Sequence, residues 1–110
     1  KNRMIPINIE FKEIQLSEDQ KEHFKQMFGD LDKFNDMAVN ADLYLKSISD
    51  TAQDDHEVSI RVNMPGKDIF ISKQAPDLRT AAHEVHDALK IALRRHKEIH
   101  KDKHQSEGKF

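Results

Sequence analysis

The chain has no cysteine. That excludes disulfides, thiolate zinc sites and cysteine nucleophiles, and it agrees with a reducing compartment. Glycine is scarce, three in 110 residues, so there is no glycine-rich loop to cradle a nucleotide phosphate. Tryptophan is absent and tyrosine occurs once, at Tyr44. No apolar run approaches the roughly 20 residues needed to cross a bilayer. The opening stretch KNRMIPINIEF has no signal-peptide core, so a soluble cytoplasmic protein is expected. Lys1 to Arg3, ahead of Met4, read as either an appended or a native extension. Serines 17, 47, 49, 59 and 72 lie in no nucleophile-elbow context. Asp54, Asp55 and Glu57 cluster in a loop, where solvation of a turn explains them. The expectation is therefore not an enzyme, with no catalytic residues, no cofactor and no small-molecule substrate.

What remains is a charged chain with clear periodicity. Hydrophobic residues make up 36% and charged residues 35%, which suits one small, well-solvated domain with a thin core. Ile5, Ile7, Ile9 and Phe11 alternate, as in a strand with one buried face, and Pro6 marks an edge or a strand start. Ser17 with Gln20 has capping-box spacing. Phe24, Met27, Phe28 and Leu31 then follow at helical intervals, with Gly29 interrupting. Val39, Ala41, Leu43 and Leu45 form one face of a second strand. Val58, Ile60, Val62 and Met64 form one face of a third. Pro65-Gly66-Lys67 is a turn, Asp68 to Lys73 a fourth strand, and Asp77 an N-cap for a last helix. The expected class is α+β in the order β-α-β-β-β-α. A four-stranded sheet would carry both helices on one face and expose the other to water. Residues 1–101 form the single domain, and 102–110 read as a disordered tail.

The net charge is −2, which alone argues weakly against nucleic acid, but the charge is unevenly placed. Residues 1–76 hold 10 Lys and Arg against 14 Asp and Glu, whereas residues 90–103 hold 6 against 2. On a helical wheel, Leu78, Ala81, Ala82, Val85, Ala88, Leu89, Ala92, Leu93, His96 and Ile99 share one arc, the buried stripe. Opposite it run Arg79, His83, His86, Lys90, Arg94, Lys97 and Lys101, a ridge roughly 33 Å long. Arg95 flanks the stripe on its other side. The helix dipole favours cations in the last turn but does not account for a ridge of six turns. Long cations can instead follow the regularly spaced charge of a phosphodiester backbone without reading bases. Tyr44 is the only aromatic expected on a solvent face, which favours shape and backbone recognition of folded RNA over stacking on single strands.

The run PDLRTAAHEVHDALKIALRRHK (76–97) resembles the last helix of the ribosome hibernation-promoting factors, also called ribosome-associated inhibitors. Leu78, Ala81, Asp87, Leu89, Leu93, Arg94, Arg95, His96 and Lys97 fall in that register without a gap. The first helix, DQKEHFKQMFGDLDKFN, is similar to the family's charged helix ending in Leu-x-x-Phe. The resemblance spans residues 5–101. It implies a fold akin to double-stranded RNA-binding domains. It also implies a protein in the channel between head and body of the small ribosomal subunit, contacting rRNA and overlapping the decoding sites for tRNA and mRNA. Carried over, Lys90, Arg94, Arg95, Lys97 and Lys101 are the leading RNA contacts. Arg79 and Lys25 come next, then Arg61 on the open sheet face. Ala88 and Ile91 stand where family members often have basic residues, which lowers the expected electrostatic affinity. The chain ends at Phe110, as in the short forms, so it is expected to be a monomer off the ribosome.

Seven histidines raise the question of a metal. His96, His100 and His104 recur every fourth residue, and His83 with His86 adds a pair. HEVH is not the HExxH motif, however, and closed sites need four ligands. No metal site is expected. The histidines read as supplements to the basic ridge that gain charge below about pH 6.5. Two alternatives stand beside the ribosomal reading. One is a general double-stranded RNA binder. The other is a protein-interaction module that uses the amphipathic last helix.

Overall fold

The computed structural model describes residues 5–47 and 56–109, with side chains through Lys97. Expectations resting on residues 1–3, on the turn 49–55, and on the side chains of Ile99, His100, Lys101 and His104 lie outside the described residues. The elements are β1 (Ile7–Lys12), α1 (Glu18–Gly29), a 3-10 helix (Leu31–Lys33), β2 (Asn40–Ser47), β3 (His56–Asn63), β4 (Ile69–Ala75) and α2 (Leu78–Lys109).

The strands lie in the sheet in chain order. β2, β3 and β4 form an antiparallel meander, which needs only turns. β1 runs parallel to β2, so the chain between them must cross over the sheet, and α1 makes that crossing. Ile9, Leu43, Ile60 and Ile71 stand opposite one another across all four strands. One residue further along, Glu10, Tyr44, Ser59 and Ser72 form the matching row on the other face. Period-two alternation thus sorts the sheet into an apolar and a polar side. Phe24 and Phe28 of α1 and Ala81, Ala82, Val85, Leu89 and Leu93 of α2 join the apolar side in one core. Each large side chain buried there contributes about 1.5–3 kcal/mol relative to exposure.

The local signals work as their chemistry requires. Ser17 Oγ accepts from Gln20 N at 3.1 Å and Gln20 Oε1 accepts from Ser17 N at 2.9 Å, closing the capping box. Asp77 Oδ1 accepts from Thr80 N at 2.8 Å at the start of α2. That bond holds the Asp77 carboxyl below its ordinary pKa. Gly66 has φ +89°, a conformation the Pro65-Gly66-Lys67 turn asks of glycine.

Two residues assigned to the core are not in it. Val39 is 54% exposed. The chain reaches β2 through a turn closed by Ala38 N donating to Asn35 O at 3.2 Å, which sends Ala38 inward in its place. Phe11 is 40% exposed. It sits in the row Phe11–Leu45–Val58–Lys73, where the inner face ends in a lysine, and Lys21 Nζ lies 5.2 Å from its ring centre. The open face also carries a second aromatic besides Tyr44. Phe70 is 56% exposed there, opposite Arg61, because β4 begins at Ile69 and turns its even-numbered residues outward.

Candidate nucleic-acid interface

Ala81, Ala82, Val85, Leu89 and Leu93 of α2 are fully buried. His86 and Lys90 directly follow Val85 and Leu89, about 100° around the helix, so this edge of the ridge borders the core, whereas Arg94 lies about 180° from Val85, on the outer side. Only the edge formed by His86 and Lys90 thus lies on the flank of the core. His86 and Lys90 are half-buried, whereas Arg79, His83, Arg94 and Lys97 are exposed. The flank looks towards the end of α1 and the 3-10 helix. The His86 ring sits 5.6 Å from that of Phe28 and 5.8 Å from that of Phe34, centre to centre.

Phe34 gathers the charge. Its buried ring has Lys33 Nζ at 5.3 Å, Lys90 Nζ at 5.8 Å and the Arg94 guanidinium carbon at 5.3 Å from its centre. At that range the ring quadrupole attracts a cation, and the aliphatic stems cover the ring while the charged heads stay in water. Lys33 also pairs with Asp30 at 2.9 Å. Among the described residues no carboxylate forms an ion pair with Lys90, Arg94, Arg95 or Lys97.

Asn35 fixes this end of α2 to the 3-10 segment. It is fully buried. Its Nδ2 donates to Leu93 O at 3.2 Å and lies 3.3 Å from His96 Nδ1, while its Oδ1 accepts from Met37 N at 2.9 Å. An amide nitrogen only donates, so Nδ1 of His96 is the acceptor in that pair. His96, placed in the buried stripe by sequence, is half-buried. His86 has its pKa pushed below the ordinary imidazole value, chiefly by burial; the carboxylates of Asp30 and Asp87 oppose the shift, while Lys33 and His83 add to it. His86 thus adds no full charge to the ridge at neutral pH.

The remaining candidates are dispersed. Arg95 is exposed but lies one helical step beyond Arg94, on the other side of the outer surface. Arg79 borders a cleft of about 640 Å³ between the starts of α1 and α2, beside Asp19 and Asp77, so its surroundings are partly acidic. Lys25 is exposed on the side of α1 that faces β1, near Glu22 and Pro6. Arg61 projects from the open sheet face, opposite Asp42 on β2 and Phe70 on β4. The Lys101 side chain lies outside the described residues. Sequence reasoning saw Phe34 as the end of the Leu-x-x-Phe run but gave Lys33, Phe34 and Asn35 no part in the site; that motif and the basic-aromatic pair Lys33-Phe34 were the available signals. Among the described residues, no group of three or more His, Asp or Glu side chains could hold a metal, and no helix is long and apolar enough to cross a membrane.

Comparison with known proteins places this geometry. No curated protein matches the chain. The N-terminal domain of Protein Y from Thermus thermophilus superposes with a TM-score of 0.69 at 18% identity, covering 84% of this chain and 97% of that one. A ribosomal subunit interface protein from Coxiella burnetii gives 0.69 at 15%, covering 86% of this chain and 99% of that one. At these identities the likeness speaks for the fold. The sequence model of one family, described as sigma 54 modulation protein / S30EA ribosomal protein, matches residues 7–101. The chain belongs to that family of ribosome-associated proteins, which ties it to ribosome binding, hibernation and the regulation of translation.

Proposed function

We propose that this protein binds the small ribosomal subunit in the channel used for decoding, contacts rRNA through α2, and halts translation by excluding tRNA and mRNA. It acts by occupancy, without catalysis, as a cytoplasmic protein that is monomeric off the ribosome. One observation carries the reading: Arg94, Arg95 and Lys97 are exposed at one end of the domain, and among the described residues no carboxylate pairs with them. Exposed cations of this kind neutralise phosphates and release their counterions. Lys90 and Lys101 extend the same contact, with Arg79, Lys25 and Arg61 as outlying ones.

The test is co-sedimentation with small subunits over a salt series, comparing wild type with Arg94→Ala/Arg95→Ala/Lys97→Ala. Arg95 and Lys97 project from the fold, whereas the Arg94 stem also covers the Phe34 ring, so urea unfolding of the variant checks that it is folded under the assay conditions. Loss of three phosphate contacts should flatten the slope of log affinity against log salt by about 2 to 3. A variant that sediments like wild type at every salt concentration refutes these contacts. Equal affinity for small subunits and for any A-form duplex would favour the general RNA binder.

A further inference from the structure

We infer that Lys33, Lys90 and Arg94, gathered around Phe34, form one preformed site for a single phosphate of an RNA backbone, with Phe34 as its positioning residue. The inference deepens the ribosomal reading and rests on it for the identity of the RNA.

Three like charges, each within 5.8 Å of one ring centre, repel one another. They come from two separate segments, the 3-10 helix and α2, so sequence neighbourhood does not force them together. The Phe34 ring attracts each of them, and as a buried side chain it cannot follow them into solvent. Asp30, at 2.9 Å from Lys33 Nζ, satisfies one of the three lysine protons and leaves two. Asp30, Asp32 and Asp87 lie in the same region, but among the described residues neither Lys90 nor Arg94 forms an ion pair. A phosphodiester oxyanion fits these two and the protons Lys33 has left: Arg94 offers a planar fork for two oxygens, and the lysines act as point charges beside it. Asn35 holds the backbone next to Phe34 against Leu93, so the two halves of the site stay in register without RNA. Arg95 and Lys97 contact other phosphates and do not belong to this site.

The experiment uses the full chain and inorganic phosphate followed by NMR, with side-chain signals of Lys33, Lys90, Arg94 and Phe34 as reporters. These signals should shift together along one saturation curve. Lys33→Ala should weaken phosphate binding up to about five-fold. Asp30→Asn should strengthen it, because the competing carboxylate is gone. Phe34→Leu should weaken it with the lysines intact, while amide spectra confirm the fold. Small subunits then supply the second arm, where Lys33→Ala should lower the salt slope by about one contact. If phosphate shifts all exposed α2 cations alike and Lys33→Ala and Asp30→Asn change nothing, the site does not exist, although subunit binding could persist through Arg95 and Lys97. If the phosphate site behaves as described but small subunits are not bound, the site stands and the ribosomal reading falls.

Discussion

The side-chain amide of Asn35 donates to the main-chain carbonyl of Leu93 at 3.2 Å, joining segments 58 residues apart. The same side chain receives Met37 N at 2.9 Å. One buried residue therefore sets the turn into β2 and the position of the basic part of α2. Asn35→Ala leaves Met37 N without that acceptor and opens a small void. We expect a loss of about 1–3 kcal/mol in chemical unfolding. Asn35→Asp should cost more, since a buried carboxylate would face the Leu93 carbonyl with no proton to donate. Both variants should also weaken RNA binding, because Phe34 and Arg94 lose their common anchor. Stability equal to wild type for Asn35→Ala would show that this contact is dispensable.

His86 makes stability depend on pH with a definite sign. Burial lowers its pKa in the folded protein, so the unfolded chain takes up the proton first. Its contribution is fully present above the ordinary value near 6.5 and is lost as the pH falls through that value towards the lower folded pKa. Urea unfolding at pH 7.5 and 5.5 checks this against His86→Gln, which cannot titrate. Wild type should lose more stability than the variant between the two pH values. Equal losses would mean that His86 is not held neutral by its place between Phe28 and Phe34.

The two halves of the sequence reading fared differently for physical reasons. Strand alternation and the Ser17–Gln20 cap were legible because they are local: a side chain two or three residues away decides them. The core stripe of α2 was legible for the same reason, from Ala81 to Leu93. The ridge was visible as a set of residues, but not that His86 and Lys90 on it are half-buried, since a wheel gives angles without saying what packs on the flank. Here Phe28 and Phe34 pack on it, and both belong to another part of the chain. The part that Phe34, Lys33 and Asn35 play beside α2 stayed hidden because a 3-10 turn of three residues has no period to detect. Val39 failed where a turn, not the strand, chose which residue points inward.

The helices and the open sheet face make opposite claims on RNA, and two substitutions separate them. Ile91 is 58% exposed on α2, so Ile91→Lys removes no core contact, and lysine is the slightly better helix former. The added cation should raise small-subunit affinity up to about five-fold at low salt and steepen the salt slope. Arg61 stands on the far side of the sheet from the helices, in register with Asp42 and away from the cations of α2. Arg61→Ala should therefore change affinity by less than about two-fold and lower the salt slope by less than one full contact. Filter binding of labelled small subunits at several salt concentrations measures both. If Arg61→Ala weakens binding while Ile91→Lys leaves it untouched, the subunit is gripped by the sheet, and the cations of α2 serve only to keep the helix in solution.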